Sequence, residues 1–311
     1  LDTSRGLGDV YKRQSMRLPV PPCANLGCTG LNPCFRTPEQ VWGRDHIRTS
    51  DEPVPRRRGM VRAEELVVET FFVGPLQMRC SVVCDTATGD TVVIDAGDEP
   101  ERLIAWNDHG EGAGPNWSSA PGPVHAGERT VVALLNTHAH FDHSGHIPTV
   151  REHWGVEWWL HPDDTFLQSL AQQSAARWGL PPLPEPAVAD HDLAHGEMVH
   201  VGSLTFEVLH TPGHTLGGVC LLLRVDGAAD HLFVGDTLFA GSVGRTDLPN
   251  TGGDFQVLAN SIHTHLWPLD GNTVVHPGHG PLTTIGHERE TNPFVGVGAG
   301  EHGTYGRGKY A

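Results

Sequence analysis

The chain has 311 residues, 38% of them hydrophobic and 19% charged, enough for one large core or two modest ones. Its formal net charge of −16 argues against the clustered Lys and Arg that nucleic-acid binding needs, so no nucleic-acid partner is expected. No apolar run reaches the roughly 18 residues needed to cross a bilayer, and no signal peptide is visible behind Arg5, Lys12, Arg13 and Arg17, so a cytoplasmic location and no membrane partner are expected.

Residues 1–60 mix Pro, Gly, Arg and Cys without a sustained period and end in Pro53-Val54-Pro55-Arg56-Arg57-Arg58-Gly59. They are expected to be a disordered or non-native leader, with the working chain starting near Met60. Cys23, Cys28 and Cys34 lie there without the CxxC pair of a zinc knuckle, whereas Cys80, Cys84 and Cys220 fall in apolar runs that suit buried, reduced thiols.

From Glu65 the pattern becomes short β-rich runs, and Leu66–Val73, Met78–Cys84 and Thr91–Ile94 predict a three-strand meander. The third run ends in Asp95-Ala96-Gly97, where Asp95 either braces a neighbouring loop from behind or caps a turn. A short helix over Glu99–Asp108 and a surface insertion over Gly110–Gly127 follow. Thr130–Leu135 is apolar and β-branched, a buried strand that delivers Thr137-His138-Ala139-His140-Phe141-Asp142-His143 at its C-terminal end. Open α/β sheets place their chemistry at such ends. Imidazole and carboxylate suit Zn²⁺, Fe²⁺ and Mn²⁺, and one loop presenting several can serve two adjacent ions. With 21 His in 311 residues, three at these offsets arise by chance at roughly 3 in 10,000 positions.

Ser144–Trp154 then predicts a helix, Val156–Leu160 a strand, and His161-Pro162-Asp163-Asp164 the start of a helix to about Trp178 with Asp163 or Asp164 as N-cap. His161 is read as structural. A Pro-rich connector, Leu180–Pro186, leads to a hairpin of Met198–Val201 and Leu204–Leu209 around Gly202-Ser203, ending in His210-Thr211-Pro212-Gly213-His214-Thr215. Val219–Val225 and His231–Val234 pair across Asp226-Gly227 and lead to Gly235-Asp236-Thr237. A carboxylate at the end of a buried run, with no counter-charge nearby in sequence, needs a cation. Phe255–Leu266 has helical spacing, Thr273–Val275 runs into His276-Pro277-Gly278-His279-Gly280, and a short polar segment precedes a flexible tail at 296–311. Strand blocks alternating with helices, twice over, predict an α/β sandwich of two mixed sheets faced by helices.

Four motifs, HxHxDH at 138–143, HTPGHT at 210–215, GDTLF at 235–239 and PGHG at 277–280, each at a strand end and in this order, resemble the metallo-β-lactamase superfamily. With GRTDLP at 244–249 and TIGHERETNPF at 284–294, the chain is similar to short, single-domain glyoxalase II-type (hydroxyacylglutathione hydrolase-like) enzymes. The resemblance implies a metallo-β-lactamase-like αββα sandwich, with the hydrolase domain over 61–295. It implies two divalent ions, foremost Zn²⁺ with Fe or Mn as alternatives. His138, His140 and His214 would hold the first, Asp142, His143 and His279 the second, and Asp236 would bridge. It further implies thioester hydrolysis by a hydroxide held between the ions, with Asp142 as the catalytic carboxylate that orients it and receives its proton.

Arg245 stands nine residues past Asp236, where such enzymes place a basic glutathione contact; a plain salt bridge is the alternative. The larger enzymes of this type carry a helical C-terminal domain for which the residues after His279 show no counterpart. The expected substrate is therefore a small-molecule thioester, glutathione-derived or otherwise. His146, His210 and His276 match no ligand offset and are read as helix-surface, turn and supporting residues. Three rivals stand beside this reading. An iron-dependent persulfide dioxygenase shares the loop and the GRTD stretch. A β-lactamase is disfavoured because Asp236 stands where many carry Cys. A non-enzymatic module would have lost ligands.

Overall fold

The structure is a computed structural model that describes residues 60–109 and 129–300. The expected leader with its three cysteines, the Gly110–Gly127 insertion and the tail beyond residue 300 lie outside the described residues. The first half runs β1 (Val61–Arg62), β2 (Leu66–Val73), β3 (Met78–Asp85), β4 (Asp90–Ile94), α1 (Pro100–His109), β5 (Thr130–Leu135), α2 (Phe141–Ser144), α3 (Ile147–Trp154), β6 (Trp158–Leu160), α4 (Thr165–Ser169), α5 (Ala171–Arg177) and β7 (His191–Asp192). The second runs β8 (Met198–Val201), β9 (Leu204–His210), β10 (Val219–Leu223), β11 (Val225–Asp226), β12 (His231–Gly235), β13 (Leu238–Phe239), β14 (Ser242–Val243), α6 (Phe255–Ser261), β15 (Val274–Pro277), β16 (Thr283–Thr284) and α7 (Ile285–Thr291).

Two six-stranded sheets form, in the orders β2-β3-β4-β5-β6-β7 and β16-β15-β12-β10-β9-β8. Both are mixed: β2, β3 and β4 pair antiparallel while β4 to β7 run parallel, and in the second sheet only β12 and β15 are parallel. The period of two along each strand splits the apolar residues between layers. In β9 and β10, Phe206, Val208, Val219, Leu221 and Leu223 face the first sheet, while Leu209, Cys220 and Leu222 face α6 and α7. In β3, Met78, Cys80 and Val82 face α1 and α3, and Val83 faces inward. The result is the expected αββα sandwich. No helix among the described residues is long and apolar enough to cross a membrane.

Three local expectations need correction. The helix expected over Ser144–Trp154 starts earlier, at Phe141, and breaks around Gly145-His146, because Pro148 sits in the first turn of α3, where a residue without an N–H begins a helix rather than continues one. The helix after His161 is three short pieces, and His161 itself caps the first by accepting the Asp163 N–H at 3.2 Å. The segment after residue 281 contains α7, which polar composition and Gly286 obscured; Thr284 caps it by accepting the His287 N–H. Cys80, Cys84 and Cys220 are buried and unpaired, as expected.

Phe206 is fully buried between the sheets. Phe206→Ala should lower unfolding free energy by about 3–5 kcal/mol with an unchanged urea m-value. A loss below about 1 kcal/mol in urea titration would contradict this core assignment.

Candidate metal centre

Strand ends deliver the polar side chains to one place. β4 stops at Asp95, β5 at the 138–143 loop, β9 at the 210–215 turn, β12 at Asp236 and β15 at the turn that carries His279. Two groups form. Ring nitrogens of His138, His140 and His214 lie within 4.8 Å of one another, as do the ligand atoms of Asp142, His143 and His279.

In the first group His138 Nε2 is 3.1 Å and His214 Nε2 2.9 Å from His140 Nδ1. Tetrahedral Zn²⁺ at its usual bond lengths spaces two nitrogens by about 3.3 Å, so the spacing fits one shared ion. The rings are aimed from behind: His214 Nδ1–H donates to the Arg245 carbonyl at 2.6 Å, and His138 Nδ1 meets Thr137 Oγ1 at 3.2 Å. Those contacts assign the inward lone pairs to Nε2 of both residues. Burial first, then mutual repulsion, pushes His138 well below the usual imidazole range and His140 down to about 3, so these rings stay neutral and ready to ligate.

The second group is charged. His143 Nδ1 donates to Asp95 Oδ2 at 3.0 Å and His279 Nδ1 to the Leu76 carbonyl at 3.1 Å, which leaves both Nε2 atoms inward. His279 Nε2 lies 3.3 Å from Asp142 Oδ2. Burial opposes charge on all of these groups, yet His143 and His279 hold Asp142 down to about 2, while Asp236 and Asp142 raise His143 and His279. Asp236 stands between the groups, with Oδ1 at 3.4 Å from His143 Nε2 and Oδ2 at 3.5 Å from His214 Nε2. The donor set fits divalent cations on a further observation: His143 Nε2 and Asp236 Oδ1 are buried without any hydrogen-bond partner.

Asp95 braces rather than caps. Its carboxylate accepts from the Thr137 N–H at 2.8 Å, Thr137 Oγ1 at 2.7 Å, Asn136 Nδ2 at 3.1 Å and His143 Nδ1. Gly97 and Gly278 are required by close approach, since a Cβ would overlap the Asp142 carbonyl or Asp236 Oδ1. Arg245 contributes its carbonyl to His214, while its guanidinium pairs with Asp247 at 2.9 and 3.2 Å. His146 sits 3.8 Å from Asp98, His210 stacks on His161 at 4.1 Å, and His276 packs on Phe233 with Nε2 toward His231 at 2.9 Å.

Sequence reasoning missed Asp164, which it read as a cap. The carboxylate is fully buried and accepts from Ala139 N, Thr215 Oγ1 and Gly217 N at 3.1, 2.9 and 2.6 Å, tying the 138–143 loop to the 210–215 turn. Burial raises it against those three donors. The tandem Asp163-Asp164 gave no signal to separate the two roles.

An αββα sandwich with His and Asp clusters where strand ends of both sheets meet is a metallo-hydrolase architecture, one that binds divalent metals, often two. The sequence model of the metallo-beta-lactamase superfamily matches residues 73–279, and the chain belongs to that superfamily. It is 34% identical over 229 residues to hydroxyacylglutathione hydrolase GloC of Haemophilus influenzae, covering 73% of this chain and 97% of that one. Among solved structures, BLEG-1 B3 metallo-beta-lactamase is 36% identical with a TM-score of 0.62, covering 73% of this chain and 98% of its own. TTHA1623 in a di-iron-bound form is 38% identical with a TM-score of 0.59, covering 72% and 98%.

Asp164→Ala strands three donors, so unfolding free energy should fall by about 2–3 kcal/mol and metal affinity about tenfold. Wild-type affinity in a chelator competition would refute the tie. The two groups should also differ with pH. Raised pKa values on His143 and His279 mean an ion entering there displaces protons, so its affinity should fall about tenfold per pH unit per proton as pH drops from 8 to 6. The first group, in which burial holds His138 and His140 neutral, should change far less; equal slopes for both ions in calorimetry would contradict the division.

Proposed function

We propose that the chain is a binuclear, metal-dependent thioester hydrolase of glyoxalase II type, its hydrolase domain spanning 61–295, with zinc as the resident metal and the cytoplasm as its compartment. The observation that carries this is the pair of ligand groups sharing Asp236, with His143 Nε2 and Asp236 Oδ1 buried and making no hydrogen bond. His138, His140 and His214 would hold one ion and Asp142, His143 and His279 the other. Bound there, a pair of divalent ions would polarise a carbonyl oxygen and acidify water from a pKa of about 15.7 toward 7.

The chain's own residues supply the rest. Asp142 is ionised at neutral pH and lines an adjacent cleft, so it can orient an attacking water by accepting its hydrogen bond and can take up its proton. Asp95 and the Arg245 carbonyl fix the rings of His143 and His214, so no reorganisation is needed when substrate arrives. The Arg245 guanidinium is already engaged by Asp247 through Nε and Nη2, so a substrate carboxylate there would have to share it. The similarity to GloC supports a glutathione-derived thioester. That to the di-iron form of TTHA1623 keeps iron open as the metal.

Metal quantification paired with thiol release from glutathione thioesters tests the reading. About two divalent ions per chain and steady thiol release are expected, with His140→Ala losing at least about a hundredfold in kcat/KM. One iron per chain with O₂ uptake on glutathione persulfide would make the protein a persulfide dioxygenase instead. Turnover of a cephalosporin without thioester cleavage would favour the function in BLEG-1's name. Protein that retains no metal would be a binding module.

A further inference from the structure

A cleft of about 440 Å³ opens directly onto Asp142. One wall is apolar: Pro100, Phe141, Leu180 and Leu183 line it. That wall is held in place, because Leu180 and Leu183 pack on the cluster around Phe141 and Ala175, and Gln172 Nε2 donates to the carbonyls of Leu183 and Pro184 at 3.2 and 3.3 Å. Asp98, Glu99 and Glu101, which flank Pro100 in the chain, line it too. No Lys or Arg among the described residues lines the cleft. His146, which also lines it, has Nδ1 buried without a hydrogen-bond partner and Nε2 3.8 Å from Asp98.

This acidic segment is built into the backbone. Asp95 and Glu99 bracket it in the left-handed region, at φ 58° and 50°, conformations that non-glycine residues hold only where the surroundings demand them. Asp98 lies against Gly74, where any side chain would collide with its carboxylate, and its Oδ1 accepts the Glu99 N–H at 2.7 Å. Glu99 is engaged by Arg102. Asp98 and the exposed Glu101 therefore set the charge that an entering group meets.

We propose that this cleft takes the acyl arm of the substrate and selects it by charge, accepting apolar acyl groups with a cationic or neutral end and rejecting anionic ones. The proposal rests on the thioester reading above and adds to it the substrate class. Apolar lining rewards burial of a methylene chain, and carboxylates lining the same cleft favour a cation and oppose an anion.

The test uses metal-loaded protein and acyl thioesters of N-acetylcysteamine with equal chains ending in trimethylammonium, methyl or sulfonate. The cationic ester should exceed the sulfonate in kcat/KM by at least about tenfold at low salt, with the methyl ester between and the gap narrowing in about 0.5 M salt. Glu101→Lys should cut that ratio at least about fivefold. Glu101→Gln repeats the test without adding a charge. Equal rates for the cationic and anionic esters, a preference for the anion, or a ratio untouched by both variants would overturn the proposal. The non-hydrolysable amide analogues, measured by calorimetry, read the same ranking without catalysis. If no thioester is cleaved the proposed function fails, and the amide ranking alone then decides the charge selection.

Discussion

The centre depends on one buried carboxylate. Asp95 is 3% exposed and stands at the end of β4 in a left-handed conformation that turns its side chain toward the end of β5. An ion there would be costly if unpaired, but a carboxylate has about four lone-pair sites, and four donors from Asn136, Thr137 and His143 occupy them. Two consequences follow from that one arrangement. The end of β5 is pinned to the end of β4, which sets where the 138–143 loop begins. The His143 ring is also locked with Nδ1 outward, so its other nitrogen has nowhere to go but the centre.

The same device recurs at greater range. Asp164 ties the 138–143 loop to the 210–215 turn, and Glu288 on α7 accepts from the Gly241 N–H at 2.9 Å, from Asn292 at 2.8 Å and from Thr283 at 2.6 Å. Each carboxylate is fully satisfied, so the burial that would otherwise cost several kcal/mol becomes a constraint on which loops meet. The sheets supply rigid strand ends and these three acids fix what hangs from them. Thr211 and Thr237, 3.1 Å apart, add a neutral version of the same link between the turn at His214 and Asp236.

This division explains what could be read from the sequence. Strands β2, β3, β9 and β10 were legible because a short apolar, β-branched run is a local property, and the candidate ligands were legible because they sit in short motifs after β5, β9, β12 and β15. Asp164 was not, since its partners lie 25, 51 and 53 residues away and a cap uses the same residue type. The contribution of Arg245 was half hidden for a different reason. Sequence pointed to its guanidinium, whereas the hydrogen bond to His214 comes from its carbonyl, which any residue would provide. Helix α7 escaped because its buried face rests on Ile285 and Glu288 alone, too little for an apolar period.

Charge makes the two groups unequal and the surroundings lopsided. The first offers His138 and His140 held neutral by burial; the second offers an ionised Asp142 whose charge, with that of Asp236, favours protons on His143 and His279. On the proposed reading, four positive charges face only Asp142 and Asp236 within the ligand set, so a loaded centre has an excess that a buried site tolerates only with anionic company. The cleft at Asp142 holds Asp98, Glu99 and Glu101, and Arg245, whose carbonyl holds His214, has its guanidinium matched by Asp247. On the proposal above, an anionic group entering past Asp98 and Glu101 would meet repulsion before it met any ion. Substrate orientation would then be settled by the protein's fixed charges before any bond to the centre forms, which is the economical way for a small active site to distinguish the two arms of one molecule.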